Sequence, residues 1–128
     1  MDTTAKIIDF LKVTHPYDVL PRDALADLAT AFSRKTYQEG EVIYAHGELL
    51  EGLYLIKEGS VEITDAHGAQ MSLLQKSNHF GERGLLRDGL AATTATAASN
   101  CTVLLLTPEA FKTEVATNPE FARYFNRG

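Results

Sequence analysis

Glycine-centred turns recur at close intervals through the middle of the chain, at Gly40, Gly47, Gly59 and Gly68, and the apolar runs between them are short. A parallel strand pair needs a crossover of a dozen or more residues, usually a helix, and this spacing leaves no room for one. The runs Thr36-Tyr37, Val42-Ile43-Tyr44, Leu53-Tyr54-Leu55-Ile56, Val61-Glu62-Ile63-Thr64 and Met71-Ser72-Leu73-Leu74 therefore read as hairpin-connected strands. At Lys57-Glu58-Gly59-Ser60 the glycine supplies the positive φ of a tight hairpin. Two further strands are expected, Ala91 to Ala98 and Cys101 to Leu106, joined at Ser99-Asn100. The expected fold class is mainly β, a sandwich or double-stranded β-helix (jelly roll), with flanking N- and C-terminal α-helices.

The flanks carry helical spacing. Thr3 to Val13 presents Ile7, Ile8, Phe10 and Leu11 on one stripe before His15-Pro16 stops it. Leu20-Pro21-Arg22-Asp23 opens a second helix, with Leu25, Leu28, Ala29 and Phe32 at i, i+3, i+4 and i+7. At the other end Thr107 caps a helix begun by Pro108, with Phe111 and Val115 on its buried face, and Asn118-Pro119-Glu120 repeats the device. The stripe of Phe121, Tyr124 and Phe125 either covers the core or docks something that continues beyond these residues. One domain spanning 1–128 is expected: N-terminal helices in 1–34, a β-roll in 35–107 and C-terminal helices in 108–128.

Composition narrows the function. A net charge of −5 and a pI near 5.3 repel polyanions, which argues against nucleic acid or an anionic membrane surface as partner. No apolar run approaches the ~20 residues of a membrane span and no signal peptide is evident, so a cytoplasmic location is expected. Cys101, the single cysteine, lies in an apolar run and reads as a buried small hydrophobe. His15, His46, His67 and His79 do not cluster as a metal site needs, and no Ser-His-Asp order, phosphate-binding loop or paired CxxC is present, so no catalysis and no metal are expected.

The chemistry concentrates in Asn78-His79-Phe80-Gly81-Glu82-Arg83-Gly84-Leu85-Leu86 and the Ala/Thr-rich run Ala91 to Ala97. Gly81 and Gly84 permit close backbone approach, and Glu82 to Leu86 can form one helical turn whose free amides face an anion. The same stretch also reads as a loop that closes a β-barrel.

The whole pattern resembles the cyclic nucleotide-binding domain family. The resemblance is carried by Gly40-Glu41-Val42-Ile43 before Gly47, Tyr54-Leu55-Ile56 before Gly59-Ser60-Val61, Phe80-Gly81-Glu82, and Ala91 to Ala97, over roughly residues 20–125. Within the family it is most similar to the N-terminal module of bacterial signal-transduction proteins that also carry CBS pairs and a nucleotidyltransferase-like domain. That implies a regulatory domain belonging to a longer protein, which senses cAMP, cGMP or a related small anion and signals through its terminal helices. The effector would be C-terminal and CBS/nucleotidyltransferase-like, and a homodimer is a further implication. In binders of the family, the position of Glu82 meets the ribose 2′-hydroxyl, the amides at Gly84 and Leu85 meet the phosphate, and a hydroxyl at Thr93 or Thr94 reaches phosphate or base. Gly81 and Arg83 complete the implied site. Val61, Ile63, Met71 and Leu73 would form the purine wall, although their alternation equally suits plain core.

The chain departs from that pattern at one place. The arginine that pairs with the cyclic phosphate in binders is Ala91 or Ala92 here, according to register. Losing a charge-assisted phosphate contact costs on the order of 2–5 kcal/mol, or roughly 30-fold to a few thousand-fold in affinity. Arg83 or Arg87 could replace the missing charge, or each could lie in solvent or pair with Glu82 or Asp88. The alternative function is a jelly roll without a ligand, serving as a docking or dimerisation module.

Overall fold

In the computed structural model of the chain, which describes residues 3–125, the short runs pair into two four-stranded sheets. The strands are β1 (Phe32–Tyr37), β2 (Val42–Tyr44), β3 (Leu53–Glu58), β4 (Val61–Thr64), β5 (Gln70–Leu74), β6 (His79–Phe80), β7 (Thr94–Ala97) and β8 (Cys101–Leu106). One sheet runs in the order β1-β8-β3-β6 and the other β2-β7-β4-β5, and this is the expected jelly roll. The chain divides into two compact units, residues 34–105 and residues 1–33 together with 106–128.

In the β unit, Leu53, Leu55, Ile56, Val61, Val103 and Leu104 are fully buried. Alternation along β7 turns Ala95 and Ala97 inward, where only small side chains sit opposite β4. Cys101 is buried as expected, and burial, with the Glu41 charge adding to it, raises its thiol pKa. Register decides which face of β5 looks in. Val61 opposes Leu74, Glu62 opposes Leu73 and Ile63 opposes Ser72, but Thr64 opposes Gln70, so Met71 is the extra residue of a bulge. Leu73 consequently shares the outer face with Glu62, contrary to the apolar wall expected from alternation.

The second unit holds α1 (Thr3–Lys12), a 3₁₀ turn at Tyr17–Val19 and α2 (Arg22–Thr30), together with the helices Pro108–Thr117 and Pro119–Phe125. Tyr17 is its centre, fully buried and edge-on to Phe32 and Phe121 at ring-centroid distances of 5.9 and 5.5 Å. Phe125 meets Phe111 and Phe121, each at 5.0 Å, so the C-terminal aromatics cover a core, which leaves the docking role of Phe121 and Phe125 without an exposed face. Thr107 Oγ1 accepts the Ala110 amide, and Asn118 Oδ1 accepts those of Glu120 and Phe121, as the capping signals imply.

Three local readings differ. Phe32 is not the end of the α2 stripe but the first residue of β1, because the helix stops at Thr30 and Phe32 turns toward Tyr17. The strand expected from Ala91 begins only at Thr94; Ala91 instead exchanges hydrogen bonds with Glu48 and Gly47. His79–Phe80, read as part of a loop, is a two-residue strand against Tyr54 and Leu55. Of the C-terminal helices expected in 108–128, residues 126–128 lie outside the described residues.

Candidate functional site

Gly81 sits at φ 89°, a left-handed conformation open to glycine, and this turns the chain out of β6 into the single helical turn α3 (Glu82–Leu85). The turn closes through Leu85 N–H to the Gly81 carbonyl at 3.3 Å and Leu86 N–H to Glu82 at 3.0 Å. The preceding amides, at Glu82, Arg83 and Gly84, come before the first intrahelical bond. Gly84 is required by contact rather than by φ: a Cβ there would collide with the Leu90 carbonyl oxygen and Leu50 Cδ1. Gly84 also accepts the Gly89 amide at 2.7 Å, so the turn and the 89–91 segment are fastened together.

Behind the turn lies a cavity of about 240 Å³. Gly81, Glu82, Arg83 and Gly84 line one side with Ala91, Ala92 and Thr93; Ile63, Met71, Ser72 and Leu74 line another; and Tyr44, Leu50, His79 and Phe80 complete it. Met71 reaches the cavity through its bulge, and Leu74 takes the place expected of Leu73. Val61 is core. Tyr54 stacks on Phe80 at 4.8 Å and Tyr44 lies 5.4 Å from Tyr54, so Tyr54 backs the two rings that line the cavity.

The expected site residues divide. Gly81, Glu82, Arg83, Gly84 and Thr93 share the cavity. Leu85 does not: its amide is engaged by Gly81 and its side chain is buried. Thr94 does not either, because its hydroxyl accepts the His46 amide at 3.0 Å. Thr93 and Tyr44 hydrogen-bond through their side chains. Arg87, the other candidate cation, lies outside the lining. Tyr44, Leu50, Ser72 and Leu74 were not legible as site residues; the bulge and the β4–β5 register place Ser72 and Leu74, and the sequence carries no mark of either.

Burial raises the Glu82 carboxyl pKa, opposed by a hydrogen bond from its own amide and by the nearby Arg83 charge. His79 is driven the other way: burial lowers its pKa to about 3, so a neutral imidazole lines the cavity at physiological pH. Among the described residues, no cluster of three or more His, Cys, Asp or Glu side chains could hold a metal ion. Among them, too, no helix is long and apolar enough to cross a membrane.

Residues 34–118 match the family described as "Cyclic nucleotide-binding domain". The chain is 32% identical over 104 residues to the cAMP-dependent protein kinase regulatory subunit of Candida albicans, covering 81% of this chain and 23% of the relative. It is 25% identical over 122 residues to human cGMP-dependent protein kinase 2, covering 91% and 16%. Among solved structures it superposes on the regulatory domain of Toxoplasma gondii PKA with cAMP, at TM-score 0.81 and 26% identity, covering 86% of this chain and 44% of that one. The chain thus spans less than a quarter of the length of these curated relatives.

Proposed function

Since the chain belongs to the cyclic nucleotide-binding domain family, we propose that the cavity behind α3 binds cAMP or cGMP and that the domain is regulatory rather than catalytic. One observation carries this reading: a part-buried carboxylate, Glu82, and the residues Arg83 and Gly84, whose amides precede the first intrahelical bond of α3, share a single cavity with an apolar wall of Ile63, Met71 and Leu74. A ribose hydroxyl suits Glu82, a phosphate suits amides at the start of a helical turn, and a purine suits the wall. The Candida albicans relative is a protein kinase regulatory subunit and the Toxoplasma gondii structure a regulatory domain, which supports a signalling role.

A ligand shifts an equilibrium only by its differential affinity for two states. In this reading α3 is the moving element, and the terminal helices pass its position to an effector. We take the effector to lie outside these residues, of the CBS/nucleotidyltransferase-like class, with dimerisation as a second output, and the protein to work in the cytoplasm. The docking-module alternative is disfavoured by the open cavity, which a degenerate roll would fill with large side chains. The small Ala91 and Ala92 keep the expected affinity modest.

The test is isothermal titration with cAMP and cGMP, with Glu82→Ala as control. Heat at micromolar nucleotide that this variant abolishes supports a sensor. An absence of heat and of any thermal shift at millimolar nucleotide rejects it in favour of the docking module.

A further inference from the structure

Of the residues lining the cavity, only Arg83 carries a permanent positive charge. The residue is exposed and makes no ion pair among the described residues. Pairing with Glu82 is poorly served by the backbone, because consecutive residues on a helical turn do not face each other. Arg83 and Glu82 nevertheless line one cavity, close enough for the Arg83 charge to act on the Glu82 carboxyl, and the amides of Arg83 and Gly84 precede the first intrahelical bond of the turn. Arg87 is equally cationic and sits outside the lining.

The position of Arg83 is fixed from below. Gly84, with no Cβ, lets the turn pack directly on Leu90 and Leu50, and Gly89 and Arg87 both donate to its carbonyl. The turn is thereby held beside Ala91 and Ala92, whose methyl groups leave space at that end of the cavity. An anion entering there meets Arg83 and the amides of Arg83 and Gly84, and it competes with the Glu82 carboxylate for the guanidinium.

We propose that Arg83 is the cation that neutralises the phosphate of a bound nucleoside cyclic monophosphate; the assignment rests on the nucleotide-binding reading above and names the charge that reading lacks. Specificity for a phosphate-bearing ligand over the bare nucleoside then resides in the turn rather than in the start of β7.

The test titrates the unsubstituted chain, Arg83→Ala, Arg83→Lys and Glu82→Ala with cAMP and with adenosine, which keeps the purine and ribose and lacks the phosphate. Arg83→Ala is expected to weaken cAMP by roughly 30-fold or more and to leave adenosine unchanged, and Arg83→Lys to recover part of the loss. Because Arg83 is exposed, thermal unfolding without ligand should be the same in all forms of that residue. If Arg83→Ala binds cAMP normally while Glu82→Ala does not, the assignment fails and the nucleotide-binding reading stands. If adenosine binds the unsubstituted chain as tightly as cAMP, the assignment also fails and the site takes phosphate-free nucleosides. If neither ligand binds, both readings fall.

Discussion

His79 is a buried imidazole whose folded pKa, about 3, lies below the ordinary value of 6.5. The unfolded chain therefore binds a proton that the folded chain refuses, and this residue's contribution to stability is full above pH 6.5 and declines as pH falls toward 3. The expected slope is up to about 1.4 kcal/mol per pH unit in that window. Urea midpoints at pH 7 and pH 5, compared with those of His79→Gln, check it: the variant should lose much less on acidification. Glu82 shows the opposite conflict, since burial disfavours the charge that a ribose hydroxyl would use. Glu82→Gln should raise the ligand-free melting temperature while removing nucleotide binding, which thermal unfolding with and without cAMP would register. Gly84 is constrained by space alone. Gly84→Ala should cost about 1–3 kcal/mol in a denaturant titration and displace α3 from Leu90.

At the level of elements, the reading succeeded where local chemistry is strong and failed where pairing decides. Thr107 and Asn118 announced helix starts because a short polar side chain before a proline has few better uses than capping. Asn118→Ala should cost about 1 kcal/mol and fray the helix Pro119–Phe125, which circular dichroism and a urea midpoint would register. Leu73 and Ser72 show the limit. Alternation says that Met71 and Leu73 share a face, but the bulge opposite Ile63/Thr64 sends Ser72 and Leu74 inward and leaves Leu73 half exposed. A bulge adds one residue without any compositional mark, so nothing in the strand itself predicts it. The late start of β7 has a similar cause: Ala91 and Ala92 suit a strand, yet Ala91 is taken by Glu48 and Gly47.

On the scale of the whole molecule, the chain's two ends build one unit. Tyr17 from the N-terminal segment packs on Phe121 from the C-terminal one, inside the unit formed by residues 1–33 and 106–128. A chain ending at Leu105 should expose Tyr17 and raise amide hydrogen exchange throughout α1 and α2, while the sheet residues of 34–105 keep more of their protection. What the sequence by itself determined was the class of fold and the stretch that turns beside the cavity. Closely spaced glycines forbid crossovers, and Gly81 and Gly84 mark a tight turn, read either as one helical turn with free amides or as a loop closing the barrel. Only the tertiary structure decided which side chains meet there. It engaged the Leu85 amide and the Thr94 hydroxyl elsewhere, lined the cavity with Leu74 instead of Leu73, and placed Arg83 but not Arg87 in that lining. The reason is physical: turns and caps are settled by residues a few positions apart, whereas a cavity lining depends on register between strands and on contacts between segments far apart in the chain.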